Sequence, residues 1–372
     1  MQATWAVGLM TGTVLDGNID VALIRTDGRT VEAFGDYALK PYDEQTNQLL
    51  QQATMAAQSW QFAEQDPEVF ALAERQLTLA QAHAVQQVVE DAGLSMCDIG
   101  VVGFHGQTVL HRAPTPTQVG ATRQLGDGAL MARTLDCTVV HDFRSADVAA
   151  GGQGAPLSAI YHQGLLESLN AGTDTAVLNL GGVANLSWTD HAGNLVAFDT
   201  GPANAPLNDF IASHGLGRMD RDGQLAATGK VDEDKLQVLL QHPYLQQTYP
   251  KSLDRFDFSA AMAQGLDVAD GAALLTAFTA AAVGKALDLL PVRPSRLIVC
   301  GGGRHNPVLM KELCKRAAPH CELAEAFGWR GDAIEAECFG YLAMRVLGRL
   351  PLSFPSTTGV PAAMTGGVIS QP

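Results

Sequence analysis

The chain has 372 residues, 47% hydrophobic and 17% charged, which is enough apolar material for the cores of two domain-sized lobes and excludes a disordered or low-complexity chain. Its 24 Lys and Arg against 39 Asp and Glu give a formal charge of −15. That balance argues against a general nucleic-acid binder or an anionic-membrane binder, which need a cationic face, but not against a small anion held by backbone N–H groups at a helix start.

No run approaches the roughly 18 continuous apolar residues of a membrane span. The longest candidate, Ala272 to Val283, carries Thr276 and Thr279 and reads as a buried helix. The first residues reach a glycine-rich motif by Gly8, so no export signal is expected. Six cysteines (Cys97, Cys137, Cys300, Cys314, Cys321 and Cys338) form no Cys-x-x-Cys pair, which points to a reducing cytoplasm and away from zinc. The chain also lacks His-Glu-x-x-His, Gly-x-Ser-x-Gly and a Walker phosphate loop.

Taken in chain order, Trp5 to Met10 reads as a strand that breaks into a turn with Gly12 and Gly17 and returns as Ile19 to Ile24, a hairpin. Asp66-Pro67 is spaced as a helix start, and Val69, Ala73, Leu77, Ala80, Ala84 and Val88 carry a helical period to Gly93. Strands follow at Ile99 to Phe104, which delivers His105-Gly106-Gln107-Thr108, and at Thr138 to Val140, which delivers His141-Asp142-Phe143-Arg144. Gly151 to Pro156 reads as a ligand loop or a linker. The strand Ala176 to Leu180 enters Gly181-Gly182 and returns through Leu186 to Trp188, and Leu195 to Phe198 delivers Asp199-Thr200-Gly201-Pro202. A helix over Gly271 to Leu290 precedes the strand Arg296 to Cys300 and Gly301-Gly302-Gly303, and a last helix covers Ala333 to Leu347. Helices alternating with short apolar strands indicate an α/β fold, and the repeated strand, glycine turn, strand pattern suggests two similar lobes.

The turn Gly12 to Asn18 can gather backbone N–H groups into an anion nest, with Asp16 able to hold a divalent cation; an ordinary hairpin turn is the alternative. Gly181-Gly182 and Gly301 to Gly303 repeat that chemistry at two further strand ends, which favours a nucleotide held between lobes. Asp199, stiffened by Pro202 at a strand end, is the candidate for proton transfer, a role that contributes about 10² to 10⁴-fold in rate; an Asx turn or a helix cap is the structural alternative. Asp332 to Glu335 has the spacing of a capping box, so Glu335 serves either as a cap or as a substrate contact. His105 can bind a polar ligand or be a structural histidine. Arg144 and Asp147 can clamp a carboxylate and a hydroxyl or form a surface ion pair.

Together, Gly8 to Gly17, His105 to Thr108, Asp142-Phe143-Arg144, Asp147 to Pro156, Asn179 to Gly182, Phe198 to Pro202, Cys300 to Gly303 and Asp332 to Ala336 resemble the anhydro-N-acetylmuramic acid kinases, over essentially the whole chain. The resemblance implies a two-lobed α/β fold of the actin-like, ribonuclease-H-like ATPase type with a nucleotide cleft between lobes. The expected lobes are residues 1–134, completed by 350–372, and 135–349. It implies an ATP-dependent sugar kinase that opens 1,6-anhydro-N-acetylmuramic acid with water and phosphorylates O6 in peptidoglycan recycling. It also implies Mg²⁺ as cofactor beside ATP and makes a homodimer a reasonable expectation. On this reading Asp199 is the catalytic base, and Gly12, Thr13, Val14, Leu15, Asp16, Gly17 and Asn18 bind the ATP phosphates with Asp16 near the metal. Gly181, Gly182, Gly301, Gly302 and Gly303 line the rest of the nucleotide site, and His105, Gln107, Arg144, Asp147, Gln153 and Glu335 lie near the sugar. The chain departs from the family pattern at Thr11 and Val14, where Ser is usual, at Ala203, where Gly is usual, and at Leu253-Asp254, where Thr-Gly is usual. A same-fold kinase for another sugar and a non-catalytic nucleotide-binding regulator are the alternatives.

Overall fold

The computed structural model describes residues 1–11, 17–115, 117–318 and 320–372. The chain packs as two compact units, Met1–Ser168 with Ala333–Pro372, and Leu169–Asp332. In chain order the first unit contributes strands Thr4–Met10 (β1), Asn18–Thr26 (β2), Val31–Pro41 (β3), Ile99–Phe104 (β4), Gln107–Arg112 (β5), Ala121–Leu125 (β6) and Val139–His141 (β7). The second holds Thr175–Leu180 (β8), Val183–Thr189 (β9), Leu195–Pro202 (β10), Arg296–Cys300 (β11) and His320–Leu323 (β12), and the chain then returns to the first for Val368–Ser370 (β13).

The apolar runs of β1 and β2 pair antiparallel as the expected hairpin, with Gly8 opposite Ala22 and Met10 opposite Asp20. β3 extends this meander, while β4 lies parallel to β1 and β7 parallel to β4, giving the order β13-β7-β4-β1-β2-β3. The second sheet repeats the plan in the order β10-β9-β8-β11-β12. There β8, β9 and β10 form the antiparallel meander, and β11 is parallel to both β8 and β12. Parallel neighbours require crossovers, which the helices supply. One strand order used twice is the ribonuclease-H-like α/β plan, and it bears out the reading of two similar lobes.

The units divide differently from the expected 1–134 and 135–349. β7 is hydrogen-bonded to β4, and the helix Ile334–Leu347 packs on β1, β2 and β4, so both segments join the first unit. Two glycines permit that packing. A Cβ on Gly8 would lie 1.8 Å from the Ala336 carbonyl oxygen, and one on Gly103 would lie 2.0 Å from that of Phe339. In the second unit the helix Val268–Leu287 is apolar and long enough to match a membrane span by composition, yet most of it is buried against β10 and neighbouring helices. The expected cap at Asp66-Pro67 does not form. The helix runs Glu68–Asp91 without a side-chain cap because Arg123 takes the Asp66 carboxylate, with Nη2 at 2.9 Å.

Gly103→Ala forces a Cβ against helix backbone that cannot give way, and overpacking of this kind costs about 1–3 kcal/mol or more. Its Tm is expected to fall by several degrees, and an unchanged Tm contradicts the close approach.

Candidate functional site

Asp199 sits near the end of β10 at a bulge: it pairs with Asn185 and Gly201 pairs with Ala184, so Thr200 is the extra residue. Bulges re-aim side chains at strand ends. The residue is only 6% exposed. Its Oδ2 accepts the Leu253 N–H at 2.8 Å, its N–H donates to the Lys251 carbonyl at 3.2 Å, and its own carbonyl accepts the Tyr244 hydroxyl at 2.7 Å. Lys251 is buried; its Nζ donates to the Tyr244 carbonyl at 3.0 Å and lies 4.5 Å from the centre of the Tyr244 ring. Cross-strand neighbours share a face, and the row containing Asp199 continues through Asn185 and Asn179 to Cys300. Within that row Asn185 Oδ1 is buried without a hydrogen-bond partner among the described residues.

The glycine turns of the second unit meet at the same end of its sheet. Gly182 O accepts the Ala203 N–H, Gly181 O accepts the Asn204 N–H, and Asn204 Nδ2 donates to Leu180 O, all at 3.0 Å. Gly301 has φ +76°, and a Cβ there would fall 2.3 Å from Asn179 Oδ1. Gly302 is different: a Cβ built on it meets nothing within 4 Å. Arg304, almost wholly buried, fixes this turn by donating to Gly301 O at 3.1 Å, to both Asp332 oxygens at 2.6 and 2.8 Å, and to Glu325 at 2.6 Å. The Arg304 hydrogen bonds hold the Asp332 carboxyl below its ordinary range.

In the first unit, His105 Nδ1 and Thr11 Oγ1 both donate to Gly106 O, at 2.8 and 3.0 Å. That pattern assigns Nε2 of His105 as the acceptor for Arg144 Nε (3.1 Å) and Nη2 (3.0 Å), while Arg144 Nη1 donates to Gly154 O at 2.6 Å. Burial first, and the Arg144 charge second, hold His105 well below the usual imidazole range, so it is neutral at pH 7 and orients the guanidinium. Asp147 is spent on the loop itself: Oδ1 accepts the Gly154 N–H at 2.7 Å and Oδ2 the Thr358 hydroxyl at 2.5 Å. Gln153 joins the same loop, its N–H donating to Thr358 O and its carbonyl accepting from His111 Nε2 at 3.0 Å. Gln107 is buried at the start of β5. Glu335 lies in the first turn of Ile334–Leu347, where its charge reaches the buried Cys338 thiol, as does that of Arg144.

The structure thus gathers His105, Arg144, Asp147 and Gln153 on one unit, and Asp199 with Gly181, Gly182 and Gly301 to Gly303 on the other. Of the phosphate turn, Gly17 and Asn18 are described, with Gly17 O accepting the Tyr42 N–H; Gly12, Thr13, Val14, Leu15 and Asp16 lie outside the described residues. The capping box at Asp332 does not form: Ala333 is the N-cap without a side-chain bond, because Arg304 and His305 occupy the Asp332 carboxylate. Sequence reasoning misses Lys251, Tyr244, Arg304 and Thr358. Thr358 meets Asp147 across 211 residues, a pairing no local pattern announces.

A family model described as anhydro-N-acetylmuramic acid kinase matches residues 4–372. A protein of that name from Rhizobium rhizogenes is 64% identical, with 100% of each chain covered. Its namesake from Brucella anthropi is 64% identical over 99% of each chain, and one from Caulobacter vibrioides is 48% identical over 98% of each.

Burial pulls His111 and His162 down to about 4, and in His111 the Arg144 charge adds to it. Lowered imidazole values mean that the unfolded chain binds protons first, so stability is complete above about 6.5 and falls as pH drops from there toward about 4. Melting curves are expected to show Tm falling over that window, with a shallower slope in His162→Gln; an identical slope contradicts the assignment.

Proposed function

The chain belongs to the anhydro-N-acetylmuramic acid kinase family, and we propose that Asp199 is the base that activates water for its reaction. As a member it is an ATP-dependent sugar kinase of peptidoglycan recycling: water opens 1,6-anhydro-N-acetylmuramic acid and O6 is phosphorylated, giving N-acetylmuramic acid 6-phosphate and ADP. The observation that carries the role of Asp199 is its placement, a buried carboxylate at a bulge whose Oδ2 accepts the Leu253 N–H. Asp199 takes a proton from water, the water oxygen bonds to the anomeric carbon, and the bond from that carbon to O6 breaks. The freed O6 then accepts the phosphoryl group, a transfer that needs mainly positioning and charge neutralisation. Asn185 Oδ1, without a partner among the described residues, offers an acceptor in the same row for a donor of the substrate or its water.

Gly181, Gly182 and Gly301 to Gly303 fit a nucleotide. Gly301 and Gly303 are needed to pack on β8, whereas the space over Gly302 is open and a side chain would fill it. Mg²⁺, when bound, neutralises phosphate charge, and Asp16 is its proposed ligand. Arg144, aligned by neutral His105, suits the lactyl carboxylate of the muramic acid, and Glu335 and Gln107 belong to the same sugar-binding proposal. Asp147 shapes the loop that presents Gly154 O to Arg144. All six cysteines are free thiols, which supports the cytoplasmic assignment.

Asp199→Asn is expected to retain ATP binding and lose at least about 10² to 10⁴-fold in formation of the 6-phosphate, measured by coupled ADP release and product analysis; wild-type turnover removes Asp199 as the base. Gly302→Ala is expected to keep the wild-type Tm and raise KM for ATP. An unchanged KM places the nucleotide elsewhere.

A further inference from the structure

We propose that Lys251 is a positioning residue for this reaction: its ammonium anchors the loop that grips Asp199 and keeps that carboxylate ionised. This rests on the reading of Asp199 as the base. Lys251 is 4% exposed, and its Nζ has a carbonyl partner and two aromatic faces, Tyr244 at 4.5 Å and Phe198 at 5.5 Å. Among the described residues no carboxylate lies within ion-pair distance of it. An ammonium buried in this way is costly, and a methionine would fill the same space without that penalty, so packing alone does not account for a lysine here.

What its position adds is a hold on Asp199 from three sides. The Lys251 carbonyl accepts the Asp199 N–H, the Leu253 N–H two residues on binds Oδ2, and Tyr244, whose carbonyl the ammonium grips, donates its hydroxyl to the Asp199 carbonyl. Phe198, next to Asp199, stacks on Tyr249 at 5.3 Å and closes the frame. Burial pulls the amine down to about 8 while the Asp199 charge pulls it up, and that coupling is reciprocal. Asp199 on β10 and Tyr244 on the helix Pro243–Gln246 face it, and Asp254 and Asp257 lie on its own loop. The helix Val268–Leu287 adds the apolar Leu274, Ala277, Phe278 and Ala282 to the cluster around Tyr244.

The test compares wild type, Lys251→Met, Lys251→Arg and Asp199→Asn, assayed with ATP and 1,6-anhydro-N-acetylmuramic acid across about pH 4 to 9. Lys251→Met is expected to lose about 10 to 100-fold in kcat with sugar KM within about threefold, and to move the acidic limb of its kcat profile up by about one unit. Lys251→Arg is expected to recover part of both effects. A Lys251→Met enzyme with the wild-type pH profile, beside an inactive Asp199→Asn, overturns the lysine proposal alone; an active Asp199→Asn overturns the reading of the base. Should Lys251→Met fail to fold, the carboxyl carbon resonance of Asp199 in the wild-type protein is followed through the same range. A second inflection where the lysine titrates supports the coupling, and its absence overturns it.

Discussion

A carboxylate taken out of water persists as a base only where fixed dipoles or charges replace its hydration. At Asp199 the Leu253 N–H binds one carboxylate oxygen, while the Lys251 carbonyl and the Tyr244 hydroxyl fix the residue's own N–H and carbonyl. The rest of the second unit serves that arrangement. The bulge at Thr200 sets the direction of the side chain, and the meander β8-β9-β10 sets its neighbours in the row. The helix Val268–Leu287 covers β10, so the strand end cannot drift.

The same sheet plan, used twice, solves two different problems. In the first unit the ends of β1 and β4 carry Thr11 and His105 to a shared carbonyl, and through His105 they align Arg144. Neutral histidine suits this task, because a protonated ring would have no acceptor left for the guanidinium. In the second unit the ends of β8 and β11 carry glycines instead, locked by Asn204 on one side and the Arg304 network on the other. Backbone exposed at a strand end accepts phosphate or ribose; a rigid guanidinium accepts a carboxylate. On the proposed reading, those are the two kinds of group that the site must hold.

Much of this architecture is legible in the amino-acid sequence. The hairpin of β1 and β2, the strands at Ile99 and Thr175, the glycine turns and the helix ending at Leu347 all follow from short apolar runs cut by Gly and Pro. Asp199 stands out because a carboxylate between an apolar strand and Thr-Gly-Pro has little reason to be there as packing. The lobe boundary is harder, since β7 and Ile334–Leu347 return to the first sheet from far along the chain, and no local pattern records which sheet a strand joins. Asp147 reads as a ligand clamp or half of a surface ion pair because its partner Thr358 is so distant, and Lys251 carries no local pattern that sets it apart although it is buried. Glu335 reads as either a cap or a substrate contact because spacing alone cannot show that Arg304 already holds Asp332.

In the proposed reaction, water is activated at the anomeric carbon by the carboxylate of β10. Its most direct test is a single turnover in water labelled with heavy oxygen, quenched before the sugar can exchange its anomeric hydroxyl. Label is expected on the anomeric carbon of the 6-phosphate and none in the bond between O6 and phosphorus. Unlabelled product, or label found only on the phosphoryl group, would contradict it.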